Sequence, residues 1–412
     1  MKLRVGAAIG IADQGASALS NFLLMIAVAR ADTPQDFGSF TICVMLYSAL
    51  LTVSRSLLSE PYTVISNTTG QWLPRVVCLR LIGTAAALGC LGGIVGLLVF
   101  PLIGVLHGAN TLIVLVGLPA LLVQDLARWF AIAAGRQLWA LIADVLWVLV
   151  MASWLAPRYV GWRIALPPAL IWIVGALLGT VILVVLFLRR SPTLTGQEEA
   201  ASFSRVLQLG APAAGETFVG AFGLQLGFYL AVAIVGADAV GAARGALLVL
   251  GPLSILTSGL LQFLLPRMSR TPITVRSTVL RTQLWLIGLL ALAAIPFYSL
   301  PPQIGEGLLG ASWPTARAAL PPMVVYTAFI LCFIVAQSGI RARRASSRLF
   351  MLRRVDAVLI PLTFVIGAVI SRDAFFWAVA LTGAFDLIMV TIALRLPEPR
   401  TREAIDTRRR ME

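Results

Sequence analysis

Twelve runs of mostly apolar residues, each close to the length that crosses a bilayer, follow one another along this chain with only short connections between them. In lipid the backbone has no partner but itself, so each run is forced into helix. Runs this long and uniformly apolar do not fit the short alternating strands of an outer-membrane barrel. The spans read as 5–29, 39–65, 77–100, 111–133, 139–156, 167–188, 207–235, 240–265, 279–300, 319–340, 355–370 and 374–394. Composition agrees: 59% of residues are hydrophobic and 12% charged, against about 25% charged in soluble domains. The expected fold is an all-α polytopic membrane protein of about twelve transmembrane helices.

A net charge of +14 would suit a nucleic-acid partner if the basic residues formed one surface. Their placement argues otherwise. With the amino terminus in the cytoplasm, inner segments carry 24 of the 32 basic residues, among them Arg75, Arg80, Arg189, Arg190, the run from Arg341 to Arg354 and the tail from Arg395 to Arg410. Outer segments carry five, Arg30, Arg158, Arg163, Arg317 and Arg372, and three lie within spans: Arg55, Arg128 and Arg244. This bias places both termini in the cytoplasm and explains the charge without nucleic acid. The Arg341 to Arg354 run reads first as a topogenic signal and second as a contact for anionic membrane lipids. Lys2 is the single lysine, a compositional hint of a GC-rich bacterial genome. The first run shows no small-residue cleavage pattern and reads as an uncleaved span, so the expected location is a bacterial plasma (inner) membrane.

Other chemistry is thinly represented. Cys43, Cys78, Cys90 and Cys332 stand singly in apolar stretches and read as small core residues. His107 is the only histidine, which rules out a histidine-based metal site or a Ser-His-Asp triad, and no cofactor motif is present. Trp72, Trp129, Trp139, Trp154, Trp162, Trp313 and Trp377 suit an interfacial belt. Gly89, Gly92, Gly93 and Gly96 have the small-residue spacing of closely packed helices.

Shifted by 203 residues, the chain aligns with itself so that Asp13 meets Glu216 and Gly38 meets Gly241. Each acid precedes its glycine by 25 residues. Six spans precede the repeat point and six follow, so two pseudo-symmetric six-helix lobes are expected, at 1–188 and 206–394. A polar cytoplasmic linker at 189–205 joins them and a basic tail at 395–412 follows.

Ionised side chains within a bilayer need a partner or a wet cavity. Asp13, Glu60, Asp125, Asp144, Glu216, Asp356 and Asp386 all lie within spans. Asp125 and Arg128, three apart, read as a pair on one helix face. Arg55 and Glu60, five apart, are about 140° apart round a helix and do not pair along one face. Asp32 and Asp36 flank Pro34 and read as turn and capping residues.

Several short motifs in order resemble the Wzx-type polysaccharide flippases of the MATE-related multidrug/oligosaccharidyl-lipid/polysaccharide exporter superfamily. They are Asp13-Gln14-Gly15; Pro34-Gln35-Asp36-Phe37-Gly38; Ser54-Arg55 with Ser59-Glu60-Pro61; Ala239-Val240-Gly241, Pro252 and Leu265-Pro266; and Leu309-Gly310 with Trp313 and Ala316-Arg317. The resemblance implies a transporter, not an enzyme, that moves polyprenyl-pyrophosphate-linked oligosaccharide from the cytoplasmic to the outer leaflet by alternating access. It also implies glycosyltransferases or a polymerase of the same pathway as partners. Twelve spans are fewer than the fourteen usual for lipid II flippases.

On that reading Arg55, whose planar fork matches two phosphate oxygens, is the candidate ligand for the pyrophosphate, with Arg30 and Arg244 as helpers. Asp13, Glu216 and Glu60 are candidates for coupling to a proton or sodium ion. The plain structural readings stand beside these: a salt bridge between Arg55 and one of the intramembrane acids, and helix-to-helix hydrogen bonds for Asp13 and Glu216. Two other functions compete. A proton- or cation-coupled multidrug antiporter would also use acids in spans 1 and 7, and a membrane glycosyltransferase or polymerase would need an acid such as Asp32 or Asp36 in the first outer loop.

Overall fold

The computed structural model describes residues 2–31, 33–69, 74–106, 108–159, 166–188, 196–251, 275–298, 301–342 and 346–395. Among these the chain forms twelve helical rods and no strand. They are α1 (Lys2–Ala31), α2 (Pro34–Ser54, continued through Arg55–Ser59 and Glu60–Thr69), α3 (Arg75–Val99), α4 (Ala109–Leu112, Ile113–Gly117 and Leu118–Ala133), α5 (Gln137–Tyr159) and α6 (Pro168–Leu188). Then follow α7 (Gly196–Val235), α8 (Ala237–Val249), α9 (Val275–Tyr298), α10 (Trp313–Ala342), α11 (Ser346–Ile370) and α12 (Arg372–Arg395). A short helix, Pro302–Leu309, precedes α10. Among the described residues eight helices are long and apolar enough to cross a membrane by length and composition alone. The chain is an all-α multi-pass membrane protein.

Helix ends follow local chemistry. Thr33 caps α2: its hydroxyl oxygen accepts from the Asp36 amide at 3.2 Å and its proton goes to Asp36 Oδ2 at 2.7 Å, with Pro34 in the first turn. Thr33 is therefore the capping residue, and Asp36 orients it by accepting the hydroxyl proton. Ser371 caps α12 by accepting the Ala374 amide at 3.0 Å. Gly135 ends α4 at φ +69, where its own amide reaches Ile132 and the Arg136 amide reaches Ala131, the paired bonds of a left-handed helix stop. The order of helices repeats: the first residues of α8, α9, α10, α11 and α12 lie 200 to 209 positions after those of α2 to α6.

Two compact units are present. Unit 1 comprises Met1–Gly245 with Pro302–Ala316, and unit 2 comprises Ala246–Pro301 with Arg317–Glu412. Unit 1 extends past the expected linker because α7 packs on α2 and α3. Residues 196–205, expected in a polar linker, instead lengthen α7.

Within unit 1, α1 packs on α5, α5 on α6, α4 on α3 and α6, and α2 on α7. Glycines set the closest approaches. A Cβ on Gly89 would lie 2.4 Å from Pro119 Cα, and one on Gly93 2.6 Å from the Val114 carbonyl oxygen, so the small-residue face of α3 meets the backbone of α4. Gly38 and Gly241 touch: a Cβ on Gly241 would lie 2.7 Å from Gly38 Cα. Unit 2 has its own core, in which Val279 and Leu286 of α9, Cys332, Phe333 and Val335 of α10, and Val390 and Leu394 of α12 are buried together. There α11 lies along α12.

Some expectations need correction. Cys90 is exposed, because it occupies the outward face of α3, whereas Cys43, Cys78 and Cys332 are buried. Trp154 and Trp313 are core residues instead of belt residues. The Trp154 indole donates to the Leu166 carbonyl at 3.0 Å, and the Trp313 ring fills the space left by the absent side chain of Gly305. Asp32, Trp72, His107, Trp162, residues 189–195, Pro252, Leu265-Pro266, Arg343 and Arg344, and the tail beyond Arg395 lie outside the described residues.

Candidate functional site

Two prolines prepare the site. Pro61 and Pro119 have no N–H to donate and push the preceding turn outward, and each follows by two residues a widened π turn, Arg55–Ser59 in α2 and Ile113–Gly117 in α4. In each turn the amide five residues on closes the ring, Glu60 to the Arg55 carbonyl and Leu118 to the Ile113 carbonyl. A neighbouring glycine lets another helix reach each displaced backbone. Gly210 of α7 sits against the Leu57 carbonyl and Gly93 of α3 against that of Val114. Arg55 is the first residue of its turn, aimed at α4.

On α4, Gln124 and Arg128 are four apart and share a face, while Asp125 lies about 100° round the helix. Asp125 meets Arg55 edge-on: Nε donates to Oδ2 at 2.9 Å and Nη2 to Oδ1 at 2.5 Å. Arg128 faces the other way. Its Nη2 donates to Asp13 Oδ2 of α1 at 2.6 Å and its Nε to Oδ1 at 3.4 Å, while Nε also lies 3.0 Å from Asp144 Oδ2 of α5. The last contact is Coulombic without hydrogen-bond alignment, so Asp144 Oδ2 has no aligned donor. Gln124 Nε2 reaches Asp144 Oδ1 at 3.3 Å.

The Asp125–Arg128 pair expected from spacing is therefore not formed. Both side chains turn to other helices, and the contacts gather five charged groups where one intrahelical pair would have joined two. The plain reading of Arg55, a salt bridge to an intramembrane acid, is what the structure contains.

Asp13, Asp125, Arg128 and Asp144 are at most 4% exposed, whereas the Arg55 side chain retains 36%. The network is sealed on its α1–α5 side and opens at Arg55. Aromatic rings wall it, with Tyr47 edge-on to Trp172 at 5.4 Å and Tyr62 against Phe130 at 4.5 Å. Fully ionised, it holds three carboxylates against two guanidiniums, one negative charge in excess.

The remaining expected residues fall in two places. Glu216 is half-buried on α7, beside Thr217, whose hydroxyl lies 3.0 Å from that of Ser56. Glu60 is exposed one position past the π turn. Asp13 thus belongs to the buried network, whereas Glu216 is only the chain neighbour of Thr217, which meets Ser56 beside Arg55. Arg30 lies elsewhere. It donates to the Gly307 carbonyl of the short helix, seventeen residues and about 25 Å along α1 from Asp13. Arg244 lies over the Phe228 ring at 5.4 Å, within a turn of the Gly38–Gly241 contact, at the short-helix end too. Arg55, Arg30 and Arg244 do not form one cradle. Gln124 is the member the sequence reading does not name; Arg128 and Asp144 appear in it within spans but with no role in binding or coupling. The available signal was an Asp-Arg pair inside an otherwise apolar run.

Among the described residues no group of three His, Cys, Asp or Glu side chains is placed to hold a metal ion. Neither a family model nor a curated relative matches the sequence. Solved structures do match in fold. A multidrug resistance MATE family transporter of the MOP superfamily, in an inward-facing conformation, superposes with a TM-score of 0.58 at 12% identity, covering 92% of this chain and 94% of that one. The lipid II flippase MurJ, inward closed, gives 0.65 at 11% identity over 95% and 88%. A MOP superfamily transporter from Pyrococcus furiosus, described as having a binding pocket of reversed polarity, gives 0.57 at 12% identity over 96% and 94%.

Proposed function

We propose that this chain is a transporter of the bacterial inner membrane that carries polyprenyl-pyrophosphate-linked oligosaccharide from the cytoplasmic to the outer leaflet by alternating access, for cell-surface polysaccharide assembly. The fold, shared with multidrug transporters and with a lipid II flippase, supports the transporter class. Two lobes, 1–188 and 206–394, with both termini cytoplasmic, fit the repeated helix order. The Gly38–Gly241 contact supports this pairing, since a residue meets its own equivalent only beside the axis relating two repeats.

The observation that carries the substrate reading is the half-open Arg55. Its Nε/Nη2 edge serves Asp125, which leaves the Nη1 edge for a phosphate oxygen, and a pyrophosphate competes with Asp125 for the first edge as well. The excess carboxylate supplies the coupling. One proton taken up by the network brings it to neutrality. Lipid-linked sugar binds where Arg55 exchanges Asp125 for a phosphate. Arg30 and Arg244 fit better as anchors at the short-helix end, where the Arg30 bond already closes α1 onto Gly307.

A proton-coupled multidrug antiporter is the second reading, favoured by the same excess of acid over base. Proteoliposomes separate the two. The flippase reading expects transfer of a pyrophosphate-linked glycan, dependent on a pH gradient and lost in Arg55→Gln; efflux of a cationic dye with no lipid transfer would replace it with the antiporter.

A further inference from the structure

Unit 2 holds a different charged contact, where α11 lies against α12. Asp356 and Asp386 are 3% and 6% exposed and sit at the same level of that hairpin, each fifteen residues from Ser371 where the two helices turn. Ionised carboxylates only accept hydrogen bonds, so two that meet in an apolar contact can bond to each other only with a proton on one of them. Arg353, one turn before Asp356, brings Nη1 to 3.7 Å from Asp356 Oδ2 and lies over the Phe333 ring of α10 at 5.2 Å. It balances one carboxylate. No further cation faces the pair among the described residues.

The surroundings enforce that shortage. Asp386 Oδ1 is buried without a hydrogen-bond partner. Leu387 and Leu352 beside the pair pack on the buried apolar cluster of α9, α10 and α12. The other polar or titratable groups on packed elements are occupied. Cys332 of α10 and Gln283 of α9 bond to each other's carbonyls, and the Tyr326 ring of α10 lies against Gly383, one turn before Asp386. At the corresponding helix offsets the first half has Trp147 and Ile182, so the pair is not a copy of an acid in unit 1.

We infer that Asp356 and Asp386 form a proton-binding site in unit 2, holding a single proton between two carboxyl groups. With the proton in place the pair bridges α11 to α12. Its release leaves two carboxylates against one guanidinium in an apolar contact, and the two helices are driven apart. This does not depend on the transport substrate.

The test is infrared spectroscopy of the full-length protein in lipid nanodiscs at neutral pH, following the C=O stretch of protonated carboxyl groups and its shift on deuteration. The expected result is one such band that disappears in Asp356→Asn and equally in Asp386→Asn, and that Asp144→Asn leaves in place. The asparagine amide can donate to the remaining carboxylate, so either variant keeps a bridge between the helices. A wild-type spectrum lacking the band overturns the proposal without any variant. So does a band that survives either substitution, or one that sodium ions remove, which would mark a cation site instead.

Discussion

Replacing Arg128 with methionine removes the one cation that faces both Asp13 and Asp144 while filling most of the same volume. The two acids are 1% and 0% exposed, so neither can turn to water. Removing one partner of a buried ion pair costs about 3 to 5 kcal/mol, and because Arg128 serves two carboxylates the upper end applies. A loss of that size lowers the melting temperature by an amount on the order of 10 °C. Replacing an entire buried ionic group with neutral residues of like volume is, by contrast, roughly neutral or stabilising by about 1 to 4 kcal/mol. The expected pattern is therefore non-additive. Arg128→Met alone is strongly destabilised, and the triple variant Asp13→Asn, Arg128→Met, Asp144→Asn recovers most of the loss. Thermal unfolding in detergent, followed by tryptophan fluorescence and checked by size-exclusion chromatography, reads both. A single variant within about 1 kcal/mol of wild type, or a triple variant as unstable as the single, would refute the claim that Arg128 compensates two buried charges.

Three other outcomes are expected. Gly38→Ala places a methyl group 1.9 Å from the Ala237 carbonyl oxygen, a backbone atom that cannot step aside, so α2 and α8 must separate at a cost of about 1 to 3 kcal/mol, readable in the same melting assay. Arg55→Lys keeps the charge but loses the two-pronged contact, so affinity for a pyrophosphate-linked lipid should drop about tenfold or more in a vesicle binding assay, while affinity for the bare polyprenol stays unchanged. Asp13→Asn removes the negative charge and one of the two oxygens that accept from Arg128 and should abolish the dependence of transport on a pH gradient, whereas Glu216→Gln, half-buried and without an ion pair among the described residues, should reduce it less; equal and full activity in both would take them out of the coupling step.

Helix positions were legible because lipid leaves the backbone no choice. Predicted spans such as 111–133 and 167–188 lie within a few residues of Ala109–Ala133 and Pro168–Leu188. Caps were legible where their chemistry is local, as at Thr33-Pro34-Gln35-Asp36. Charge partners were not. Asp125 and Arg128 are neighbours in sequence, and spacing alone favours their pairing, yet the partner of Arg128 is 115 residues away on α1 and that of Asp125 is 70 residues away on α2. Which face of a helix meets which neighbour is decided by packing. Here the packing is directed by Pro61 and Pro119 and by the glycines that accept the displaced turns.

Those prolines were visible in the sequence, and their consequence explains why the network has one open member. A regular α-helix through Arg55 would return each carbonyl to the amide four residues on, but Pro61 denies Leu57 that donor, and the turn widens toward α7. The Leu57 carbonyl lies against Gly210, and Ser56 reaches Thr217. Arg55 is thereby held at the junction of α2, α4 and α7 instead of being drawn into the sealed contact of α1 with α5. A helix straightened by Pro61→Ala would regain the Leu57 bond and withdraw Arg55 from that junction. The same backbone defect that keeps the guanidinium paired to Asp125 also keeps a third of its side chain exposed, and an arginine that is both charge-compensated and reachable can exchange its partner for an incoming phosphate.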